Sequence, residues 1–165
     1  MEYFTLFQSL YKNKVNYLIC GGLAVNIYGI PRMTSDIDLL LDFDPENIDR
    51  FNKTVSELDF SPVAPISLET LLDSETRKRM ISEKNLIAYS YYSTRSNYMS
   101  LDVLIDSPIS FNDLWESKEE RVVDQETTVF IVSLEDLISL KKYANRNQDR
   151  QDIQLLSKLT NLKAS

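Results

Sequence analysis

The sequence contains no histidine and a single cysteine, Cys20, among its 165 residues. The lack of histidine excludes Ser-His-Asp and Cys-His catalysis, histidine general bases and the usual histidine-containing zinc sites. A lone cysteine cannot form a disulfide within the chain, which favours a reducing, cytoplasmic environment. Chemistry in this protein must therefore depend on carboxylates, metal ions, lysine, arginine, tyrosine or serine.

Long apolar runs and a positive net charge are also missing. No apolar stretch approaches the roughly 20 residues that a membrane span needs, and residues 1–14 lack the basic start and apolar block of a signal peptide. The net charge of −7 argues against a broad basic surface that coats nucleic acid, but it allows an RNA end or a small molecule in a local pocket. We expect one domain over residues 1–165, with no membrane contact.

Glycine is scarce, with three residues in the chain, and two of them are adjacent. Gly21 and Gly22 follow an apolar strand predicted over 17–20 and precede a short helix predicted over 23–28. Glycines at such a turn allow close approach of a ligand to the backbone, and a helix start directs free N–H groups at it. The pair is therefore either a phosphate site or a plain turn.

Two carboxylates, Asp36 and Asp38, open the strand that follows this helix. Side chains at positions i and i+2 of a strand point to the same face, so these two project together. Each ionised group raises the pKa of the other unless a cation neutralises both. Hard oxygen ligands select Mg²⁺ or Mn²⁺, which makes this pair a candidate metal site.

Together the two motifs resemble the hG[G/S]…Dh[D/E]h pattern of the DNA polymerase β-type nucleotidyltransferase superfamily. They read Gly21-Gly22 and, thirteen residues later, Asp36-Ile37-Asp38-Leu39. The wider string GGLAVNIYGIPRMTSDIDL is similar to small bacterial nucleotidyltransferases that include abortive-infection and toxin-antitoxin components. The resemblance implies an α/β (α+β) nucleotidyltransferase fold, with a mixed β-sheet flanked by helices and a C-terminal helical pair within residues 132–165.

The same resemblance implies an activity and its partners. Such enzymes hold two metal ions on three carboxylates and move an NMP from an NTP, such as ATP, to an acceptor hydroxyl. The acceptor is a tRNA end, a protein or a small molecule such as an aminoglycoside, and a partner chain or a homodimer is expected to complete its site. The N–H groups of Gly21 and Gly22 would hold phosphates; many members carry Gly-Ser there, and the serine hydroxyl contacts phosphate.

Asp102 is the candidate third carboxylate. It interrupts an apolar run at 98–105, and a lone carboxylate in such a strand is costly to bury unless it is paired, metal-bound or at the strand end. The resemblance makes Asp102 the third metal ligand and the group that receives the acceptor proton. Asp106 is the alternative, although Ser107-Pro108 directly after it suggests a turn.

Further candidate nucleotide-binding residues lie outside these motifs. The C-terminal segment resembles the family's helical pair through Lys141, Arg146, Asp149 and Asp152, and Lys141 is predicted to donate to triphosphate oxygens. The alternative is a set of surface ion pairs spaced by three or four residues, which contribute little stability. Arg32 and Thr34, just before the acidic pair, either bind a phosphate or fix the loop.

Other elements follow from local signals. Asp44 and Pro45 predict the start of a helix that ends near residue 59, and Ser133 predicts the cap of a helix with Tyr143 on its core face. Residues 121–124 and 127–132 are predicted to form a hairpin. Two interpretations of residues 67–80 stay open, a solvated helix end and a basic rim of a phosphate site.

Two classes of function remain open at this stage. One is a metal-dependent nucleotidyltransferase with catalytic residues Asp36, Asp38 and Asp102, including an aminoglycoside-type enzyme. The other is a catalytically silent member of the fold that serves as a binding or regulatory partner. Three clustered carboxylates favour the enzyme, because a silent binder has no need of them.

Overall fold

The computed structural model describes residues 2–93, 95 and 99–164. The α-helices of this part are α1 Glu2–Lys12, α2 Gly21–Ile27, α3 Pro45–Glu57, α4 Ser74–Lys84, α5 Phe111–Ser117, α6 Leu134–Ala144 and α7 Asn147–Ala164. The strands are β1 Tyr17–Ile19, β2 Asp36–Leu41, β3 Phe60–Pro62, β4 Ala88–Ser93, β5 Ser100–Leu104, β6 Glu119–Val122 and β7 Thr128–Ile131. A 3-10 helix spans Leu68–Leu72.

The seven strands form one mixed sheet in the order β3-β4-β5-β2-β1-β7-β6. Strands β2 and β5 run parallel at its centre, as do β1 and β7, and the remaining neighbours are antiparallel. Helices flank this sheet, and α6 and α7 form the helical pair at the C-terminal end. The predicted α/β fold is confirmed.

The two faces of the central strands differ in polarity because side chains alternate along them. Ile37 of β2 lies opposite Leu101 of β5, and Leu39 lies opposite Val103; all four are fully buried in the core. The intervening carboxylates consequently lie on the opposite face. Burial of this apolar face fixes the strand register, since a shift by one residue would exchange the two faces.

Helix α3 covers the core side and begins where the sequence predicts. The Asp44 side chain accepts a hydrogen bond from the Asn47 N–H group, and Pro45 occupies the first turn, where its missing donor is not needed. Ile48, Phe51 and Val55 of the helix are buried against the sheet. The predicted cap of α6 is confirmed as well, because Ser133 Oγ accepts from the Asp136 N–H group at 3.1 Å.

Several boundaries and one side chain differ from the predictions. Helix α2 begins at Gly21, so the glycines form its first turn and not a separate turn before it. Residues 67–80 form the 3-10 helix and the first part of α4, and the predicted strand over 98–105 is β5, with Tyr98 outside the described residues. Strand β6 also starts earlier than predicted.

The prediction that Tyr143 lies on the core face of α6 is wrong. Its side chain is 55% exposed, and its hydroxyl donates to Asp106 Oδ2 at 2.9 Å. The spacing of apolar residues predicted a buried face that continues to the end of the helix, but the buried face ends one turn earlier. Asp106, the alternative third carboxylate, is therefore hydrogen-bonded to this tyrosine.

No helix in the described part of the chain combines the length and apolar character needed to cross a membrane.

Asn47 ties α3 to the sheet and gives a test of the fold. Its buried amide accepts from the Asn16 N–H group at 2.8 Å and donates to the carbonyl oxygens of Asn16 and Asp42 at 3.0 and 2.9 Å. Asn47→Ala leaves these backbone groups without a partner, and we expect a loss of about 2–3 kcal/mol in the free energy of unfolding, measured in urea. Asp49→Ala, on the exposed side of α3, should change it by less than about 0.5 kcal/mol.

Candidate active site

Asp38 and Asp102 face each other across the central parallel strands, where they are direct register partners. Burial and the charge of Asp102 raise the pKa of Asp38 above its usual range. The buried Asp102 Oδ1 atom accepts no hydrogen bond from the residues that the structure describes. Two close carboxylates, one with an unsatisfied oxygen, form an environment that favours a bound cation.

The first turn of α2 holds the Asp38 carboxylate in place. The Gly22 N–H group donates a hydrogen bond to it, which counteracts part of the rise in its pKa. Gly21 has φ +61°, and a Cβ atom added there would lie 1.8 Å from Asp38 Oδ2. Only glycine fits this position, for both its backbone conformation and its lack of a side chain. In this structure, therefore, the helix start faces a carboxylate.

Arg32 and Thr34 lie over the same helix start. A Cβ atom added at Gly22 would lie 2.7 Å from Thr34 Oγ1 and 3.3 Å from Arg32 Cζ. The Arg32 N–H group donates to Asn26 Oδ1 at 2.8 Å, which fixes the loop between α2 and β2. Thr34 thus places a hydroxyl beside a backbone position that has no side chain. These contacts support the interpretation that Arg32 and Thr34 fix the loop. Phosphate binding by both residues stays a prediction.

Asp36, the first residue of β2, is exposed, and its Oδ1 atom accepts from Ser35 Oγ at 3.0 Å. Within the described residues, no three histidine, cysteine, aspartate or glutamate side chains converge as a metal site. The facing pair Asp38 and Asp102 fits a hard divalent cation by its donor chemistry and its unsatisfied oxygen. Asp36 stays a predicted third ligand whose side chain does not join the pair in this conformation.

The C-terminal helical pair contributes a cluster of charged side chains that we call the α7 charge cluster: Arg32, Lys141, Arg146, Asp149 and Asp152. Lys141 Nζ donates to Asp152 Oδ2 at 2.7 Å and to Asp149 Oδ1 at 3.4 Å. Arg32 Nη1 lies 2.5 Å from Asp152 Oδ2, and Arg146 Nε lies 2.8 Å from Asp149 Oδ2. Lys141, Asp149 and Asp152 are 3%, 0% and 2% exposed, so the interpretation as surface ion pairs is wrong.

The structure therefore gives Lys141 a buried ionic environment between two carboxylates. A direct bond from its ammonium to a triphosphate would require these ion pairs to open, and that role stays a prediction. Sequence reasoning did not select Asp149 and Asp152 as site residues. The available signal was the resemblance of the C-terminal segment to the family's helical pair, which includes both residues; their spacing alone occurs equally in solvent-exposed helices.

A comparison with protein families identifies the chain. A model described as "Nucleotidyl transferase AbiEii toxin, Type IV TA system" matches residues 5–155. The chain belongs to the AbiEii nucleotidyltransferase toxin family. The predicted nucleotidyltransferase activity is therefore confirmed at the level of the family, and the described carboxylates and glycines lie within the matched range.

Solved structures with the same fold include two enzymes that modify antibiotics. The lincosamide antibiotic adenylyltransferase LnuA, lincomycin-bound, is 15% identical with a TM-score of 0.62 and covers 94% of each chain. ANT(2")-Ia in complex with adenylyl-2"-tobramycin is 14% identical with a TM-score of 0.61, covering 96% of this chain and 87% of that one. No curated protein sequence matches the chain. At these identities the AbiEii-family chain shares the fold alone with both enzymes.

The raised pKa of Asp38 predicts a stability that depends on pH when no divalent cation is present. A folded-state pKa above the ordinary aspartate value of 3.8 gives a contribution to stability that is present at low pH and lost as the pH rises through the folded-state pKa. Asp38→Asn removes this loss, so the variant should exceed wild type in free energy of unfolding at pH 7 in EDTA. Each tenfold difference between the folded and unfolded acidity constants corresponds to about 1.4 kcal/mol.

Urea titrations from pH 4 to pH 7 measure this difference. The gap between Asp38→Asn and wild type should widen as the pH rises, whereas Asp49→Asn on the exposed face of α3 should show a constant gap. A variant that is less stable than wild type at every pH contradicts the assignment of repulsion between Asp38 and Asp102.

The two glycines with positive φ allow a matched test of the close contact at Gly21. Gly29 has φ +92° with no atom within 4 Å of an added Cβ, so Gly29→Ala carries backbone strain alone, about 1–2 kcal/mol. Gly21→Ala adds a collision with the Asp38 carboxylate. We expect it to cost more in free energy of unfolding than Gly29→Ala and to abolish nucleotidyl transfer, which Gly29→Ala should retain. Equal effects in both assays would contradict the contact.

Proposed function

We propose that this protein is a metal-dependent nucleotidyltransferase that moves an NMP from an NTP to an acceptor hydroxyl. Asp36, Asp38 and Asp102 are the proposed catalytic residues and hold Mg²⁺ or Mn²⁺. The observation that supports the metal is the facing pair of Asp38 and Asp102, with a buried Asp102 oxygen that has no partner among the described residues. The divalent cations would neutralise the carboxylates and stabilise charge on the transferring phosphoryl group as pyrophosphate leaves.

The chain's own residues have separate roles in this proposal. Asp102 receives the proton of the acceptor hydroxyl. Gly21 and Gly22 bring the backbone of the α2 start close to the site, while Thr34 and Arg32, directly above Gly22, bind phosphate oxygens. The Thr34 hydroxyl supplies a donor where many relatives carry a serine after the first glycine.

The acceptor of the NMP group belongs to one of two candidate classes. The two solved structures hold lincomycin and adenylyl-2"-tobramycin, so a small molecule with free hydroxyl groups is one candidate class. The family is that of a toxin in a type IV toxin-antitoxin system. A toxin suggests a cellular acceptor, which would be an RNA end or a protein hydroxyl. It also suggests a partner antitoxin that opposes the activity. A partner chain or a homodimer completes the acceptor site in either case. We place this activity in the cytoplasm, where NTPs are abundant and Cys20 stays reduced.

Calorimetry provides the decisive test of the nucleotide half. Wild type is titrated with each of the four NTPs, ATP first, with and without Mg²⁺; we expect binding that requires the metal. Asp38→Ala should lose metal-dependent binding and reduce transfer more than about a hundredfold, because a direct ligand contributes more than the outer contacts whose loss costs 10–100-fold. Asp49→Ala is the control with an exposed aspartate and should behave as wild type.

Transfer of label from the preferred NTP to total RNA, to total protein or to an aminoglycoside then identifies the acceptor class. Circular dichroism must show that Asp38→Ala is folded. An unchanged transfer rate in the folded variant, or the absence of NTP binding by wild type under all conditions, overturns the proposed function.

A further inference from the structure

The α7 charge cluster places two buried carboxylates beside the proposed nucleotide site, in a position where ionised acids are costly. Asp149 and Asp152 are almost fully buried, and an uncompensated buried charge costs several kcal/mol. Lys141 lies between them and neutralises one charge. The remaining partners, Arg32 and Arg146, both belong to the side of the cluster near α2 and β2. The cluster of three cations and two anions therefore carries one net positive charge.

We propose that Asp149 and Asp152 are positioning residues that hold Arg146 and Arg32 ready to bind the triphosphate of the donor nucleotide. This inference rests on the proposed function, because it assigns roles at the same nucleotide site. Lys141 acts as the shared counter-ion of the two buried carboxylates. Two arginines oriented in advance, with a surplus positive charge between them, are suited to a polyanionic ligand.

The contact between Asp152 and Arg32 connects the last helix to the loop before the catalytic strand. Asp152 Oδ2 lies 2.5 Å from Arg32 Nη1, 120 residues away in sequence, and Asp152 Oδ1 accepts from Gln148 Nε2 at 3.3 Å. The Arg32 side chain is 23% exposed, and its Cζ atom lies over Gly22. Asp152 thus holds the guanidinium above the helix start, while part of that guanidinium stays accessible to a ligand.

The contact between Asp149 and Arg146 orders the second arginine of the cluster. Asp149 Oδ2 accepts from the Arg146 backbone N–H group at 3.0 Å and from Nε at 2.8 Å, and Oδ1 accepts from Nη2 at 3.3 Å. The Arg146 side chain remains 72% exposed. Asp149 therefore fixes a solvent-facing cation of the α7 charge cluster.

Fixing these side chains before binding reduces the entropic cost of binding. A free arginine loses most of its rotamer freedom when a phosphate orders it. An arginine that a buried carboxylate already orders loses less, so more of the interaction energy appears as affinity. Neutralising Asp152 should accordingly weaken NTP binding through Arg32, although Asp152 is too buried to touch the nucleotide.

A double-mutant cycle separates this role from a merely structural one. The dissociation constant of the preferred Mg²⁺·NTP is measured by calorimetry for wild type, Arg32→Gln, Asp152→Asn and the double variant. We expect each single change to weaken binding about tenfold, which corresponds to about 1.4 kcal/mol. If Asp152 acts through Arg32, the double variant should bind about as weakly as either single variant.

The contrary result is additive loss, about a hundredfold in the double variant, which would mean that Asp152 affects binding independently of Arg32. Affinity of Asp152→Asn equal to that of wild type would also overturn the proposal. Asp49→Asn, which breaks an exposed ion pair with Lys53 at 2.7 Å, is the control and should leave the dissociation constant unchanged. Urea titration of each protein reports its stability independently.

A second cycle covers the case in which Asp152→Asn alone does not fold because Lys141 loses its nearest counter-ion. The same changes are then made in a Lys141→Met background, where no buried ammonium remains uncompensated, and the same lack of additivity is expected.

Failure of the proposed function and failure of this inference can be told apart. Wild type that binds no NTP overturns the proposed function and this inference together, whereas wild type that binds with an additive cycle overturns this inference alone.

Discussion

Repulsion between Asp38 and Asp102 is the constraint around which the rest of the structure is arranged. The two carboxylates occupy the same register position on parallel neighbours, and the apolar residues on either side of them fix that register through burial. Relaxing the repulsion by sliding either strand would expose the core face of the sheet. The repulsion therefore persists in the folded protein, and nearby groups reduce it: the Gly22 N–H group and the Arg146 charge both stabilise ionised Asp38. A cation would remove it.

The glycine pair follows from this constraint. The Asp38 side chain contacts the start of α2 so closely that position 21 has no room for a side chain. The left-handed backbone conformation at position 21 would also strain any residue other than glycine. Position 22 is restricted for a different reason, since Thr34 and Arg32 fill the space above it. A sequence motif of two glycines thus reflects two separate steric requirements, one imposed by Asp38 and the other by the loop that precedes it.

Most of the fold and the three carboxylates could be predicted from local sequence patterns, because side-chain alternation and helix capping act over a few residues. Asp36, Asp38 and Asp102 stood out as charges within apolar strands, and Asp44 and Ser133 marked helix starts that the structure confirms. Burial of the α7 charge cluster depends instead on how α7 packs against α6 and the distant loop of residue 32. A spacing of three residues between charges is the same on a buried and on an exposed helix face, so the sequence could not distinguish them. Whether Asp36 joins Asp38 and Asp102 depends on its side-chain conformation, which spacing does not specify either.

The protein as a whole and its α7 charge cluster have net charges of opposite sign, and this difference has a physical use. A net charge of −7 weakens nonspecific association with nucleic acid, which depends on many basic contacts. The α7 charge cluster nevertheless carries one net positive charge, and its Arg32 guanidinium lies over the start of α2. A compact polyanion such as a metal-bound triphosphate can use that local field, whereas an extended polyanion also meets the acidic surface around it. A nucleic-acid acceptor would therefore have to enter by one end, so that its terminal hydroxyl reaches Asp102 while most of its backbone stays away from the protein.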